Sequence, residues 1–444
     1  MRKNYFYSAL LALISFTSVL GQAPSLTLLN SYSLTPNATD TIGAFARIYY
    51  HQPRNKFYTI YAARQAGSAS PAGVLSNFAW REYNASMVYT GNHGSLPGQT
   101  GAGDFAMVMV DSNYYHLTLA SPTANYKLTK YDDDFNILSS KTITLNSCSS
   151  NIDQLLNYTN GRLIIGAMND AGVCPPVNPP SLSLAPLSEI HQYDLNLNSV
   201  ATPTIISQTK ITWGSSMIFN AGNYYEVTME NFNTRDLYAY KYDANFTYIN
   251  KTLLHNDGQW SQGVIWNAGY YYVAHHTGEH NEGNVLIGIY DNNWNIVNTT
   301  TVTNFAVPTT TGSTSYNCNR PFLTLVGNKL YVSYDIEKYV VPVNKKDWQA
   351  AVKVYQISGI TNINEIESAR QLLVYPNPAS EKITLKTTAP TGENEVLTIT
   401  DLLGRIVFES SFTNEININT ASWDKGVYTY QLKNKTVKGK IIIE

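Results

Sequence analysis

Residues 268–297 read AGYYYVAHHTGEHNEGNVLIGIYDNNWNIV. The aromatic run YYYVA (270–274) lacks apolar–polar alternation, so the strand it forms is buried on both faces. A polar loop follows, then an apolar run closing on Tyr290-Asp291, then a polar strand. The same frame recurs along the chain. Its inner members are NKFYTIY (55–61), SNYYHLTL (112–119), NGRLIIGA (160–167), AGNYYEVTM (221–229), AGYYYVA (268–274) and VGNKLYVSY (326–334). Its closing members carry Tyr83, Tyr131, Tyr193, Tyr242, Tyr290 and Tyr355, at steps of 48, 62, 49, 48 and 65 residues. Units of about 48 residues with four strands each match the blades of a β-propeller. The expected fold is all-β, a six-bladed β-propeller over residues 22–358.

The longer steps hold insertions, at the Pro-rich VCPPVNPP (173–180) and in the segments 303–320 and 337–349. The sixth unit supplies only three strands, PFLTLV (321–326), KLYVSY (329–334) and AVKVYQI (351–357). The stretch SLTLLNSYSL (25–34) is expected to add the fourth, which closes the ring and leaves no open edge.

Composition agrees with an extracellular β-protein: only 14% of residues are charged, and 33 are tyrosine. A net charge of -2 lacks the basic footprint that nucleic acid requires. Arg2 and Lys3 precede an apolar run from about Tyr5 to Leu20, the pattern of a secretory signal peptide over residues 1–21. No Cys stands at the expected cleavage point, and no later run approaches the roughly 18 apolar residues of a bilayer span, so no transmembrane segment is expected.

The C-terminal part, residues 372–444 after a linker at 359–371, reads as a small immunoglobulin-like β-sandwich. Short alternating strands such as KITLK (382–386) and VLTIT (396–400) are broken by Pro376, Pro378, Gly404 and Gly426. Three landmarks stand in order: YPNP (375–378), LGR (403–405) and GVY (426–428). This segment resembles the type A C-terminal sorting domain of the type IX secretion system of Bacteroidetes. The resemblance implies recognition by the outer-membrane export machinery after periplasmic transit, then release or attachment at the cell surface.

In a propeller, the connections from strand 2 to strand 3 and from strand 4 to the next strand 1 meet on one face around the central channel. Ligands bind there. That face is expected to carry Trp213, Arg235, His255, Trp260, His276 and Arg320 as ligand-binding residues, with Asp104, Glu230 and His276 as the catalytic candidates. His93, Asp153, Asp257, Asp335 and Glu337 are expected in the same connections. His275 and His276 are consecutive in an extended strand and point to opposite sides. His276 and His280 are four apart, but Gly278 and the strand context deny them a helical metal-binding face. No metal or cofactor is expected. Of the three cysteines, Cys148 and Cys174 fall in adjacent loops and are expected to pair; Cys318 then stays free or pairs with one of them.

The leading functional reading is a secreted or surface propeller that binds a glycan or another extracellular ligand without catalysis, with Trp213 and Trp260 as a stacking platform. The alternatives are a glycoside hydrolase or lyase using paired carboxylates or His and Tyr, and a protein-adhesion scaffold. Arg47 in FARIYY (45–50) resembles the first arginine of the sialidases, with Arg235, Arg320 and Tyr334 cast in that family's further roles. Tyr49 stands where the family has proline, and its Asp-box repeats are absent.

Overall fold

Five of the repeat units fold into four-stranded antiparallel meanders, and the sixth supplies three strands of a sheet that a fourth strand completes. The computed structural model describes residues 23–34, 41–64, 75–97, 106–121, 125–144, 155–168, 187–207, 215–230, 234–278, 283–305, 314–340, 347–359, 372–387, 395–402, 404–432 and 438–444, among which there is no helix. The chain divides into two compact units, Met1–Thr361 and Asn362–Glu444.

In the first unit, sheet 1 is Thr41–His51, Lys56–Arg64, Leu75–Asn84 and Tyr89–Ser95. Sheet 2 is Ala106–Val110, Asn113–Ser121, Asn125–Tyr131 and Ile137–Thr144, and sheet 3 is Leu155–Thr159, Arg162–Met168, Leu187–Tyr193 and Thr204–Ser207. Sheet 4 is Ser216–Asn220, Asn223–Met229, Leu237–Tyr242 and Tyr248–His255. Sheet 5 is Gly258–Asn267, Tyr270–Thr277, Asn284–Tyr290 and Ile296–Thr301. Sheet 6 takes Thr314–Val326, Lys329–Val340 and Asp347–Ser358 from its own repeat. Its outer strand is Ser25–Ser33, paired antiparallel with Ser25 opposite Ser358 and Ser33 opposite Ala351. The expected closure by residues 25–33 is therefore what the structure shows.

The Tyr-Asp signature is a turn. Asp132, Asp194, Asp243 and Asp291 each accept, at Oδ1, the backbone N–H groups two and four residues on, at 2.8–2.9 Å. Asn84 does the same in sheet 1 through Ser86 and Val88. These bonds hold the residue three positions on in the left-handed region, with φ between 61° and 65° at Met87, Phe135, Leu197, Phe246 and Trp294. A side chain there costs roughly 1–2 kcal/mol of backbone strain. Burial offsets it, because all five are buried apolar residues that enter the interface with the preceding sheet. Trp294 stacks on Tyr271 with ring centres 4.0 Å apart, and Phe246 stacks on Tyr224 at 4.3 Å.

Six apolar clusters result, and each joins two consecutive sheets, including the pair formed by sheet 6 and sheet 1. The cyclic succession of antiparallel meanders is the β-propeller arrangement. It also accounts for the triple tyrosine. In the strand Tyr270–Thr277, Tyr271 and Val273 pack toward sheet 4, whereas Tyr272 and Ala274 pack toward sheet 6.

The second unit is a sandwich of a three-stranded and a four-stranded sheet around one core that includes Ile383, Leu385, Leu397, Ile399 and Ile441. Its landmarks have physical roles. Asn377, between two cis X-Pro bonds, accepts the N–H of Ile442 at 2.8 Å and donates to the carbonyl of Lys440 at 3.0 Å, which fixes the last strand. Asp401 repeats the turn of the first unit, accepting the N–H of Arg405 at 2.9 Å, with Gly404 at φ 80°. The Tyr428 hydroxyl donates to the carbonyl of Asp424 at 2.7 Å.

Trp294→Ala should lower the unfolding free energy by about 3–5 kcal/mol. Asn293→Ala, in the same turn but contributing only its backbone N–H to the Asp291 bonds, should change it by less than about 0.5 kcal/mol. Urea unfolding of the two variants checks the assignment; equal effects would mean that the plug is not what the turn is for.

Candidate functional site

The inner strands of the six sheets are unequal. Those of sheets 2, 3 and 4 have 5 residues each, whereas those of sheets 5, 6 and 1 have 10, 13 and 11. The three long ones lose register near the end where the chain arrives from the preceding sheet: between Gln259 and Gly263, between Asn319 and Phe322, and between Ile42 and Arg47. Such bulges re-aim side chains and are frequent beside binding sites. Arg235, Asp257 and Arg320 lie at this end with φ of 53°, 71° and 49°, a strain that the local contacts must hold.

A buried polar network runs through sheets 5, 6 and 1. His276 Nε2 lies 3.1 Å from Asn317 Oδ1, which also accepts the N–H of Gly283 at 3.0 Å. Asn317 Nδ2 donates to Glu337 at 3.1 Å. Arg320 Nη1 stands 3.7 Å from Glu337 and 3.9 Å from Asp335, and it donates to Asn319 Oδ1 at 3.2 Å. Asp335 accepts the N–H of Ala46 at 3.0 Å, which carries the network into sheet 1. His276, Asn317, Asn319, Asp335 and Glu337 are all buried, while Arg320 keeps partial contact with solvent. Gly283 is required here, since a Cβ on it would stand 1.4 Å from His276 Nε2.

A second, more open group lies between sheets 4 and 5. Arg235 Nε pairs with Asp257 at 2.7 Å, and the other Asp257 oxygen accepts the N–H of Gly278 at 3.1 Å. The His255 ring lies 4.8 Å from that of His275. The two consecutive histidines thus face different neighbours, as alternation requires: His275 faces His255, and His276 faces Asn317. Burial first, then the nearby His255 and His276, push the His275 imidazole down to about 3.

Of the expected ligand-binding residues, the structure brings His276 together with Arg320, and Arg235 together with His255 and Asp257. Glu230 is elsewhere, ion-paired with Lys251 of the outer strand, whose ammonium lies over the Tyr238 ring. Trp260 falls in the irregular part of Gly258–Asn267. Arg47 lies over the Phe322 ring, and Tyr334 is buried in the apolar cluster between sheets 5 and 6. Asp104, Asp153, Trp213, His280, Cys148 and Cys174 lie outside the described residues. Cys318 is a free thiol, buried and pushed up to about 12, burial being the main cause. Among the described residues no group of three His, Cys, Asp or Glu side chains is arranged to hold a metal ion.

The expected loop placements are corrected: Trp260, His276 and Arg320 lie within the strands Gly258–Asn267, Tyr270–Thr277 and Thr314–Val326, because the strands of sheets 5 and 6 extend past the apolar runs. His93 is not in a connecting loop but in the outer strand Tyr89–Ser95, opposite Arg81, because the polar strand continues past Tyr89. Asp335 and Glu337 are not in a loop either; the strand Lys329–Val340 runs on through both, and its two-residue period brings them to one side, beside Arg320. Asn317 was missed. Its signal is the alternation Asn317-Cys318-Asn319, polar residues two apart in an extended segment.

The buried histidines make stability depend on pH. His275 and His116 both have their folded values lowered from 6.5 to about 3, burial being the largest cause at each. The unfolded chain takes up protons below pH 6.5 that the folded chain refuses until about pH 3. Their contribution is therefore complete above pH 6.5 and is lost as the pH falls through that window. His275→Gln should remove about 1.4 kcal/mol per pH unit from the slope of unfolding free energy between about pH 6 and 4. An unchanged slope in urea titrations would show that His275 is protonated in the folded state.

Residues 373–444 match the Secretion system C-terminal sorting domain family. That domain addresses its cargo to the type IX secretion machinery, and the protein is exported to the cell surface or the extracellular space. A search of curated proteins found no significant match. Among solved structures the chain is similar to a subtype N11 neuraminidase-like protein of A/flat-faced bat/Peru/033/2010 (H18N11), at 9% identity and a TM-score of 0.45, covering 75% of this chain and 96% of that one. It is also similar to a subtype N10 neuraminidase-like protein of A/little yellow-shouldered bat/Guatemala/060/2010, at 7% identity and a TM-score of 0.43, covering 75% of this chain and 100% of that one.

Proposed function

We propose that the exported propeller is a non-catalytic binding protein. Its ligand, an extracellular glycan, docks at the bulged ends of the inner strands of sheets 5, 6 and 1. Residues 1–21 serve as the signal that starts the export route. The observation that carries the reading is the His276–Asn317–Glu337–Arg320–Asp335 network, a preorganised set of donors and acceptors held at one end of three neighbouring sheets.

Hydrolysis of a glycosidic bond needs one carboxyl group that holds a proton and a second that is free to attack or to activate water. The described carboxylates of this region are committed instead. Asp335 is held by Ala46 and Arg320, Glu337 by Asn317 and Arg320, and Asp257 by Arg235 and Gly278. A framework in which each anion already has its partners favours recognition, because its geometry is fixed before the ligand arrives.

The test is incubation of the purified chain with a panel of animal, algal and plant polysaccharides, read both as retention of protein and as new reducing ends or unsaturated products. Retention without product is expected, and Arg320→Met or Arg235→Met should weaken it at least about tenfold, roughly 1.4 kcal/mol. Product formation would make the protein a hydrolase or lyase. Retention indifferent to both substitutions would remove this face from the site.

A further inference from the structure

A cavity of about 440 Å³ opens between sheets 1 and 2, at the end of the sheets that carries the strand 1–2 and strand 3–4 turns. This is the end away from the polar network, so nothing said of that network bears on it. Its floor is aromatic. Trp80 stacks on Phe135, ring centres 4.9 Å apart and 24° between planes, and Tyr58 meets both edge-on. Gly94 lets the indole lie flat against the outer strand, since a Cβ on it would stand 2.9 Å from the indole Nε1.

The walls are charged, and their cations are matched by carboxylates. Arg54 bonds Asp133 and Asp134, each at 2.8 Å. Lys56 bonds Glu82 at 2.8 Å, and Glu82 also accepts from Tyr58 at 2.9 Å and from Asn92 at 3.0 Å. Burial opposes the Glu82 anion, but the hydrogen bonds from Lys56, Tyr58, Asn92 and Thr90 outweigh it and hold the carboxyl at about 2. Each of the two lining cations thus has a carboxylate partner, and three carboxylates stand against them. Such a cleft offers no spare positive charge to a phosphate, sulfate or uronate.

The same groove exists between sheets 4 and 5, which separates what the fold builds from what the side chains add. Tyr225 stands there for Tyr58, and Trp294 for Phe135, while Asn292 and Asn293 replace Asp133 and Asp134. Ala239 occupies the place of Trp80, and Lys241 that of Glu82. That groove encloses about 180 Å³; its indole is Trp294 of the turn, and it has alanine at the place of Trp80. The repeat supplies the groove at both interfaces; only the one between sheets 1 and 2 carries an aromatic floor beneath fixed carboxylates and an amide.

We infer that the cleft between sheets 1 and 2 is a binding subsite for an uncharged saccharide, seated on the exposed edge of Trp80 and with its hydroxyls bonded by Asn92, Asp133 and Asp134. A saccharide whose C–H edge meets the indole edge, with hydroxyls reaching carboxylate and amide oxygens, uses both the apolar and the polar parts of the lining. The inference is independent of the glycan site proposed on the inner strands.

The test titrates the full-length secreted chain with galactose, mannose, N-acetylglucosamine and their short uncharged oligosaccharides, and with a sulfated oligosaccharide, following tryptophan fluorescence and calorimetry. At least one uncharged saccharide should bind. Asn92→Ala and Asp134→Ala, both exposed positions, should weaken it at least about tenfold, and Trp80→Phe, which keeps an aromatic ring in the stack, should weaken it less. Arg320→Met should leave this binding unchanged. The inference is overturned if no uncharged saccharide of the panel binds, if the sulfated one binds more tightly, or if binding survives Asn92→Ala and Asp134→Ala together. Loss with Arg320→Met alone would also overturn it, while supporting the inner-strand site.

Discussion

The fold depends on one contact repeated around the ring: a buried apolar side chain, held in the left-handed region by an Asp or Asn cap, pressed against the sheet before it. The cap at Asp291 and the plug at Trp294 show the logic. Three hydrogen bonds to the Asp291 carboxylate fix a turn whose fourth residue has φ 64°, and the indole then stacks on Tyr271 and meets Tyr225 of sheet 4. Local polar bonds stabilise a strained backbone, and the strained backbone aims an aromatic ring at the neighbouring sheet. Neither half suffices alone. Without the cap the left-handed residue would relax, and without the burial nothing would offset its strain.

That coupling explains why the repeat was legible in the sequence. Tyr-Asp recurs because the tyrosine ends a buried strand and the aspartate begins the turn. The steps near 48 residues record the repeated meander, and the 65-residue step records in part the longer strands of sheet 6, which run through residues 314–320 and 337–340 where insertions were expected. Closure by residues 25–33 was legible for the same reason, since a unit with three strands leaves an edge unpaired. The site was less so. Arg320, His276 and Arg235 were expected at one end of the sheets by topology, and they share that end. Their partners, however, come from residues up to 289 positions apart, as with Ala46 and Asp335, and no local pattern encodes such a meeting. Strand length misled as well. The continuation of Lys329–Val340 through Asp335 and Glu337 breaks the expectation that polar residues mark a loop.

The rim cleft between sheets 1 and 2 had no sequence signal as a unit, because its parts come from two repeats. Tyr58, Trp80 and Glu82 belong to one meander, and Asp133, Asp134 and Phe135 to the turn of the next. Each fragment looks ordinary by itself. The acidic run Asp132-Asp133-Asp134 is the one local oddity: its first member caps the turn, as in the other repeats, while the next two reach back to Arg54.

A ring of similar sheets invites the view that function is spread evenly around it, yet the departures from symmetry are what carry chemistry. Sheets 2, 3 and 4 have short, regular inner strands, and sheets 5, 6 and 1 have long, bulged ones. The buried polar network follows the second group. A buried charge costs several kcal/mol unless it is paired and hydrogen-bonded, so Asp335 and Glu337 persist in the interior only because Arg320, Asn317 and the Ala46 N–H surround them. An apolar core of equal volume would have closed this interface at less cost. The network is therefore better understood as a device for holding groups in place at the open end of three strands than as a source of stability.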